Sequence, residues 1–336
     1  MNEVLVFLGD IDPRKNSSIG ISKVCDKLLE ALKIKYNKSF TIVITDKNKD
    51  NFKDINCKKI LLKEHNIKIV HKIMQENIDL PKIISREKPK FVILPRGRIP
   101  IIKIPRVKYI PIIYDTIIEY YAKKLKPKYM LAYLLMIFSC KRADAIITIS
   151  KTSKAEIRKL TNKYIHVVTL GYDCNYPNLK KEDKDYIFVA GNKYPHKNRD
   201  IAIETIKDYN KDRNTNYKIV TSNGSLSDKQ MVSTYRNAKL TIILSDREGF
   251  GLQLIESYSN RTPVVFNNVS SLKEIGKNLP GKCYVKDKES IYNAIDEVLK
   301  MSDKEVLNIK DSLERKYNWN KFYKEINNII DKELKR

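Results

Sequence analysis

Short runs of β-branched and aliphatic residues recur along this chain, with longer helix-period segments between them. In the first half the runs are Val4–Leu8, Phe40–Thr45, Phe91–Leu94, Val107–Tyr114 and Ala145–Ile149. Helical patterns at Ile19–Tyr36, His65–Asn77, Thr116–Arg142 and Lys151–Thr161 separate them. In the second half Tyr186–Ala190, Lys218–Thr221, Leu240–Leu244, Pro263–Phe266 and Cys283–Lys286 repeat the alternation, and Ile291–Arg336 reads as helix broken near Met301–Asp303 and Tyr317–Asn318. A run that is apolar throughout suits a strand buried on both faces, and strands alternating with helices are βαβ units on a parallel sheet. A length of 336 residues suits two such domains. Gly171–Asp185, with Gly, Asn, Pro and charges and no hydrophobic period, reads as the linker between them. Ligands of doubly wound sheets sit at the carboxyl ends of strands, which here means the cleft between domains.

Charge narrows the partners. The chain has 65 Lys+Arg against 40 Asp+Glu, and the excess is uneven: residues 1–170 hold 35 basic and 16 acidic side chains, residues 171–336 hold 30 and 24. Such asymmetry favours an anionic partner for the first half, although a Lys-, Asn- and Ile-rich coding bias accounts for part of the total. Five scattered cysteines without a Cys-x-x-Cys pair read as reduced thiols of a cytosolic chain. The first residues look like a buried strand, not a signal peptide. The longest apolar stretch, Tyr129–Cys140, is twelve residues, short of the roughly 20 a membrane span needs.

The sharpest local signal is Ser245 to Glu256, in which a strand feeds the Gly249-Phe250-Gly251 turn and a helix begins near Leu252. Glycines admit a ligand close to the backbone, and the free N–H groups of a helix start favour phosphate. Glu248 before the turn and Glu256 inside the helix suit hydrogen bonds to sugar hydroxyls. An ordinary strand–helix turn with Glu256 on a solvated face fits the same residues.

Glu248-Gly249-Phe250-Gly251, with seven residues between Glu248 and Glu256, resembles the nucleotide-sugar signature of retaining GT-B glycosyltransferases, glycosyltransferase family four. Asp228–Ala238, Pro263-Val264-Val265, Ser270–Ile275, Phe188–Asn198 and Ala143–Ser150 resemble further segments of that family, in order. The resemblance implies an α/β GT-B fold of two Rossmann-like, doubly wound parallel-sheet domains facing a cleft. The domains would be 1–170 for the acceptor and 186–316 for the nucleotide sugar, with 317–336 a helix crossing back to the first. It implies a catalytic set of Glu248, Lys197, Asp115 and Tyr114, with Lys197 stabilising charge on the leaving phosphate. Donor contacts would come from Gly20, Asn192, Lys193, Gly249, Phe250, Gly251, Leu252 and Glu256. Gly20 lies in Ser17–Ser22, which resembles a small glycine loop, though a plain helix start reads nearly as well.

No metal or cofactor is implied beyond the nucleotide-diphosphate sugar, UDP- or GDP-linked. Asp10-Ile11-Asp12 and Asp183-Lys184-Asp185 do not sit where a metal-holding Asp-x-Asp would. The acceptor would be a glycan or lipid-linked saccharide, in cell-surface polysaccharide or glycoconjugate synthesis.

Four departures stand out. Tyr114 replaces the usual His, and a phenol with pKa about 10 is a poor proton shuttle at neutral pH. Asn192 replaces the usual Arg, leaving Lys193 or Arg199 to supply the second cation. Only Ser222–Ser227 separates Lys218–Thr221 from Asp228–Ala238, and Asn260-Arg261-Thr262 stands where a glycine is usual. A donor-binding but catalytically degenerate relative is therefore an alternative. A nucleic-acid binder, which charge alone would permit, lacks any recognisable nucleic-acid motif. A dehydrogenase would need Gly-x-Gly-x-x-Gly after the first strand, where Leu8-Gly9-Asp10-Ile11 stands. Lys82–Lys108 and Tyr120–Arg142 combine basic residues with the apolar block, so peripheral contact with an anionic membrane at its cytoplasmic face is a further expectation, against a plain core helix with solvated lysines.

Overall fold

The computed structural model describes residues 3–9, 11, 19–37, 39–62, 72–123, 127–173, 176, 178–182, 184–222 and 226–335. The chain divides into two compact units, one of residues 1–169 and 320–336, the other of residues 170–319.

In the first unit β1 (Val4–Phe7), β2 (Phe40–Thr45), β3 (Lys58–Leu62), β4 (Phe91–Leu94) and β5 (Lys108–Pro111) form one parallel sheet in the order β3-β2-β1-β4-β5. A second parallel pair, β6 (Ala145–Thr148) and β7 (Tyr164–Val167), joins its edge through an Ile112–Ile147 bridge. The apolar runs explain the burial: every residue of β1, β2, β4 and β6 is buried. Their side chains meet the helices in a core that includes Leu5, Val43, Val92, Tyr109 and Ile146. Sequence order reverses between β1 and β4, the switch point of this sheet.

The second unit repeats the design. Here β8 (Tyr186–Val189), β9 (Lys218–Thr221), β10 (Leu240–Ile243), β11 (Val264–Asn267) and β12 (Lys282–Cys283) are parallel in the order β12-β11-β10-β8-β9. The switch point falls between β8 and β10. Ile187, Val189, Leu240, Ile242 and Val265 form the centre of its core against helices Arg199–Asp212 and Lys288–Leu299.

Several expectations change. β3 and β7 were not anticipated, because a lysine-led edge strand and a four-residue strand containing Tyr and His lack a continuous apolar run. Of His65–Asn77, residues 65–71 lie outside the described residues. Helical structure runs on from Lys72 through a π turn at Gln75–Asp79 into a helix at Leu80–Glu87. Thr116–Arg142 becomes Ile117–Lys123 and Pro127–Arg142, the latter starting at a proline that suits a first helical turn. The strand at Cys283–Lys286 shrinks to β12.

The described residues of 171–185 are part of the second unit and bond to its helices. Arg236 donates to the Leu179 carbonyl, the Glu182 N–H donates to Asn237 Oδ1 at 2.9 Å, and Asn260 Nδ2 lies 3.2 Å from the Tyr172 hydroxyl. A Cβ at Gly171 would stand 2.4 Å from the Trp319 backbone nitrogen, so this crossing of two backbone segments admits only glycine.

Helix Trp319–Lys335 buries Phe322, Ile326, Ile329 and Ile330 in the first unit. Polar ties reinforce it: the Thr169 N–H donates to Glu325 Oε2 at 2.7 Å, Lys108 Nζ donates to the Glu333 carbonyl at 2.6 Å, and Tyr323 bonds Glu30. Among the described residues no helix is long and apolar enough to cross a membrane.

Candidate active site

The two strands that flank the second unit's switch point each end in a loop bearing one member of an ion pair. After β8 the chain passes Gly191 (φ 128°), where only glycine is unstrained, and makes a short 3-10 turn at Pro195–Lys197. Asn198, in the left-handed region at φ 51°, then opens helix Arg199–Asp212. A Cβ on Gly191 would lie 3.7 Å from the Lys197 stem, so the glycine leaves one side of that lysine uncovered. Asn198 Nδ2 donates to the Leu244 carbonyl at 2.9 Å, and the Asp246 N–H donates to the His196 carbonyl at 2.8 Å. These bonds tie the loop after β8 to the loop after β10.

After β10, Glu248 Oε1 accepts from Lys197 Nζ at 2.5 Å, with the two side chains 13% and 12% exposed. The backbone of Glu248 is clamped from the end of β11. Its carbonyl accepts from the Ser271 hydroxyl at 2.8 Å and the Ser270 hydroxyl at 3.1 Å. Gly251, at φ 97°, opens helix Leu252–Ser259, and a Cβ there would stand 3.0 Å from Leu272 Cδ2. Phe250 is buried edge-on against Tyr317, with ring centroids 5.6 Å apart. His196, buried beside the ion pair, has its pKa pushed down to about 4 by burial and by the Lys197 charge, against Glu248. Its imidazole is neutral at pH 7.

One turn into the helix, Glu256 Oε2 accepts from the Tyr235 hydroxyl at 3.0 Å. Tyr235 is fully buried against Phe188 of β8, and burial with the Glu256 charge holds its phenol well above the usual range. Tyr235 is thus a fixed hydrogen-bond donor that orients Glu256. Of the two candidates for a second cation, Lys193 is exposed together with Asn192, whose side chain accepts from the Tyr194 N–H at 3.2 Å. Arg199 is the better placed. Its Nη2 donates to Thr221 Oγ1 at 2.9 Å, while Nε and Nη1 are buried with no hydrogen-bond partner among the described residues. Buried guanidinium donors without partners are costly unless a ligand takes them.

The structure therefore brings Lys197, Arg199, Glu248, Gly249, Phe250, Gly251, Leu252 and Glu256 to one end of the second sheet, and it adds Tyr235, Ser270 and Ser271. The serine clamp was unread in the sequence because a hydroxyl that serves a distant carbonyl has no local pattern. The remaining candidates lie in the first unit. Tyr114 and Asp115 follow β5: the Tyr114 carbonyl accepts from the Ser153 hydroxyl at 2.8 Å, and Asp115 Oδ1 accepts from the Ile117 N–H at 2.9 Å, opening helix Ile117–Lys123. Gly20 is exposed in the first turn of helix Ile19–Tyr36, and a Cβ there would meet nothing within 4 Å. Its neighbours Ser17 and Ser18, and Asp10, Asp12 and Asp183, lie outside the described residues.

Residues 220–315 match the family model described as glycosyl transferases group 1. The O-antigen chain mannosyltransferase RfbU of Salmonella typhimurium is 27% identical to this chain over 210 residues, covering 55% of this chain and 59% of that protein. The match therefore spans about three fifths of that relative's length. Sucrose-phosphate synthase from Thermosynechococcus elongatus superposes with a TM-score of 0.74 at 12% identity, covering 98% of each chain. WaaG, a glycosyltransferase involved in lipopolysaccharide biosynthesis, superposes at 0.66 with 11% identity, covering 96% of this chain and 98% of that one. At such identities these two likenesses speak for the fold.

Proposed function

We propose, for a chain whose residues 220–315 match the glycosyl transferases group 1 model and which carries the GT-B fold, that it transfers a hexose-type sugar with retention from a UDP- or GDP-linked donor. In this reading the acceptor is a glycan or lipid-linked saccharide, and the product belongs to cell-surface polysaccharide or glycoconjugate synthesis. The names of RfbU and WaaG support that setting. The chain works on the cytoplasmic side, in peripheral contact with an anionic membrane through its basic first unit.

The observation that carries the reading is the Lys197–Glu248 pair at the switch point. A lysine held there by a carboxylate is charged, placed and nearly out of water, which is where an ammonium does most for a developing phosphate charge. Donor binding exchanges partners: the diphosphate takes Lys197 and the unfilled donors of Arg199, and Glu248 turns to sugar hydroxyls. Glu256, oriented by Tyr235, accepts from hydroxyls of the donor. The free N–H groups beside Gly251 face the same anion. Neutral His196 adds no competing charge to the site.

Bond cleavage leaves the electron pair on the β-phosphate oxygen, which then takes the proton of the incoming acceptor hydroxyl. No side chain need shuttle that proton, so Tyr114 in place of His is compatible with turnover. Asp115 positions the acceptor, and in this reading no metal is required.

The test follows nucleotide diphosphate release from UDP-, GDP- and dTDP-sugars with crude lipid and glycan acceptors, and reads the anomeric configuration of any product. Release from one donor with a retained anomer supports the reading, and an inverted anomer removes its mechanism. Saturable donor binding without release with any acceptor would favour the degenerate relative that Tyr114 raises.

A further inference from the structure

Helix Pro127–Arg142 is apolar on two faces. Its inner face is used: Cys140 belongs to the first unit's core and Met136 packs against it. Its outer face carries Leu131, Leu134 and Leu135 at 60%, 54% and 41% exposure, with Met130 beside them. Positions 131, 134, 135 and 138 share one helical stripe. Arg142 lies over the Phe138 ring at 5.0 Å and donates to the Ile101 carbonyl at 2.9 Å. That bond holds Ile101 and Ile102, both 62% exposed, beside the C-terminal end of the helix.

The rim is aromatic and cationic. Tyr121 and Tyr129 have ring centroids 5.1 Å apart, and Lys128 lies over Tyr129 at 4.9 Å. Residues 96–108 and 120–142 together carry eleven Lys and Arg and no Asp or Glu. Glu119 and Asp144, just outside these segments, pair with Lys123 and Lys103.

We propose that this face is a docking surface for an anionic phospholipid bilayer, the leucines and isoleucines entering its acyl boundary while the tyrosines and cations lie among the head groups. An apolar stripe bordered by Tyr and Lys matches the layering of a membrane interface, where amphipathic rings and long cationic stems bridge oil and water. The rim decides against a second copy of the chain, because pairing two such faces would set like charges together. The proposal deepens the membrane contact of the reading above and rests on it for the lipid-borne acceptor that the docked face would meet.

Flotation of the full chain with phosphatidylglycerol-containing vesicles tests it, beside phosphatidylcholine vesicles and a high-salt arm. Wild type should float with the anionic vesicles at low salt and lose binding in either control arm. Leu131→Asp/Leu134→Asp should partition at least about tenfold more weakly with unchanged circular dichroism and melting, since both side chains already face water. Lys128→Glu/Lys141→Glu should weaken binding at low salt more than at high. Wild type that stays with the vesicle-free fraction, or a leucine variant that floats as wild type does, overturns the proposal. So does a wild-type dimer that the leucine variant dissolves. Thermal shift of the same proteins by UDP and GDP separates the two readings: intact flotation without any nucleotide effect counts against sugar transfer alone, and lost flotation with intact nucleotide binding counts against the docking face alone.

Discussion

At the scale of single residues, the candidate site of the second unit is built from groups that hold each other in place. Lys197 and Glu248 are each about one eighth exposed, so removing one leaves the other charged and nearly dry. Glu248→Ala should therefore lower stability by about 1–3 kcal/mol in urea titrations, whereas Glu248→Gln, which still accepts from Lys197, should lose less. Arg199→Gln should raise donor KM roughly tenfold with a smaller change in kcat, since its unfilled donors face ground state and transition state alike. An unchanged KM would return the diphosphate to Lys193. His196 gives a pH signature. Its folded pKa of about 4 lies below the ordinary 6.5, so neutral His is fully compatible with the fold above pH 6.5, and protonation opposes folding progressively as pH falls towards 4. Relative to His196→Gln, wild type should lose on the order of 3 kcal/mol across that interval in urea unfolding. A constant difference would mean that the imidazole is not desolvated.

Among elements, the central strands were legible, whereas of the edge strands β9 was read and β3 and β12 were missed or overdrawn. Phe40–Thr45, Phe91–Leu94 and Lys218–Thr221 stand at the limits their apolar runs indicated, and the tail breaks at residues 300–302 and 317–318 as read. β3 begins with two exposed lysines and was invisible to a search for buried runs, because an edge strand needs only one covered side. The strand–turn–helix around Glu248 was equally plain from its glycines, whereas the Ser270 and Ser271 clamp and the Tyr235 bond to Glu256 join residues whose pairing depends on sheet order. Helix Pro127–Arg142 was open in the sequence between a core helix and a membrane-contacting block, and the exposed stripe emerged only once its inner face was assigned. The turn itself can be tested. Gly251→Ala places a side chain at φ 97° and 3.0 Å from Leu272, so it should cost at least about 1 kcal/mol and loosen the start of helix Leu252–Ser259.

For the whole molecule, two sheets with the same βαβ logic differ in what they carry: the second unit includes residues 220–315, which match the family model, and the first holds most of the positive charge. The last helix is part of the first unit although it follows the second in sequence. Burial of Phe322, Ile326, Ile329 and Ile330 at roughly 1.5–3 kcal/mol each is comparable to the net stability of a domain. Truncation after Asn318 should therefore unfold the first unit or lower its melting sharply, and unchanged calorimetry would contradict that assignment. The central claim is that Lys197 and Glu248 act together on a nucleotide-diphosphate sugar. Its most direct test is nucleotide diphosphate release from the preferred donor by wild type, Lys197→Ala and Glu248→Ala, each first shown by circular dichroism to be folded. The account predicts that kcat falls at least about a hundredfold in each single variant, and that the double variant is little worse than either, as for residues acting as one unit. Folded single variants that release nucleotide diphosphate at near wild-type rates would place the chemistry elsewhere.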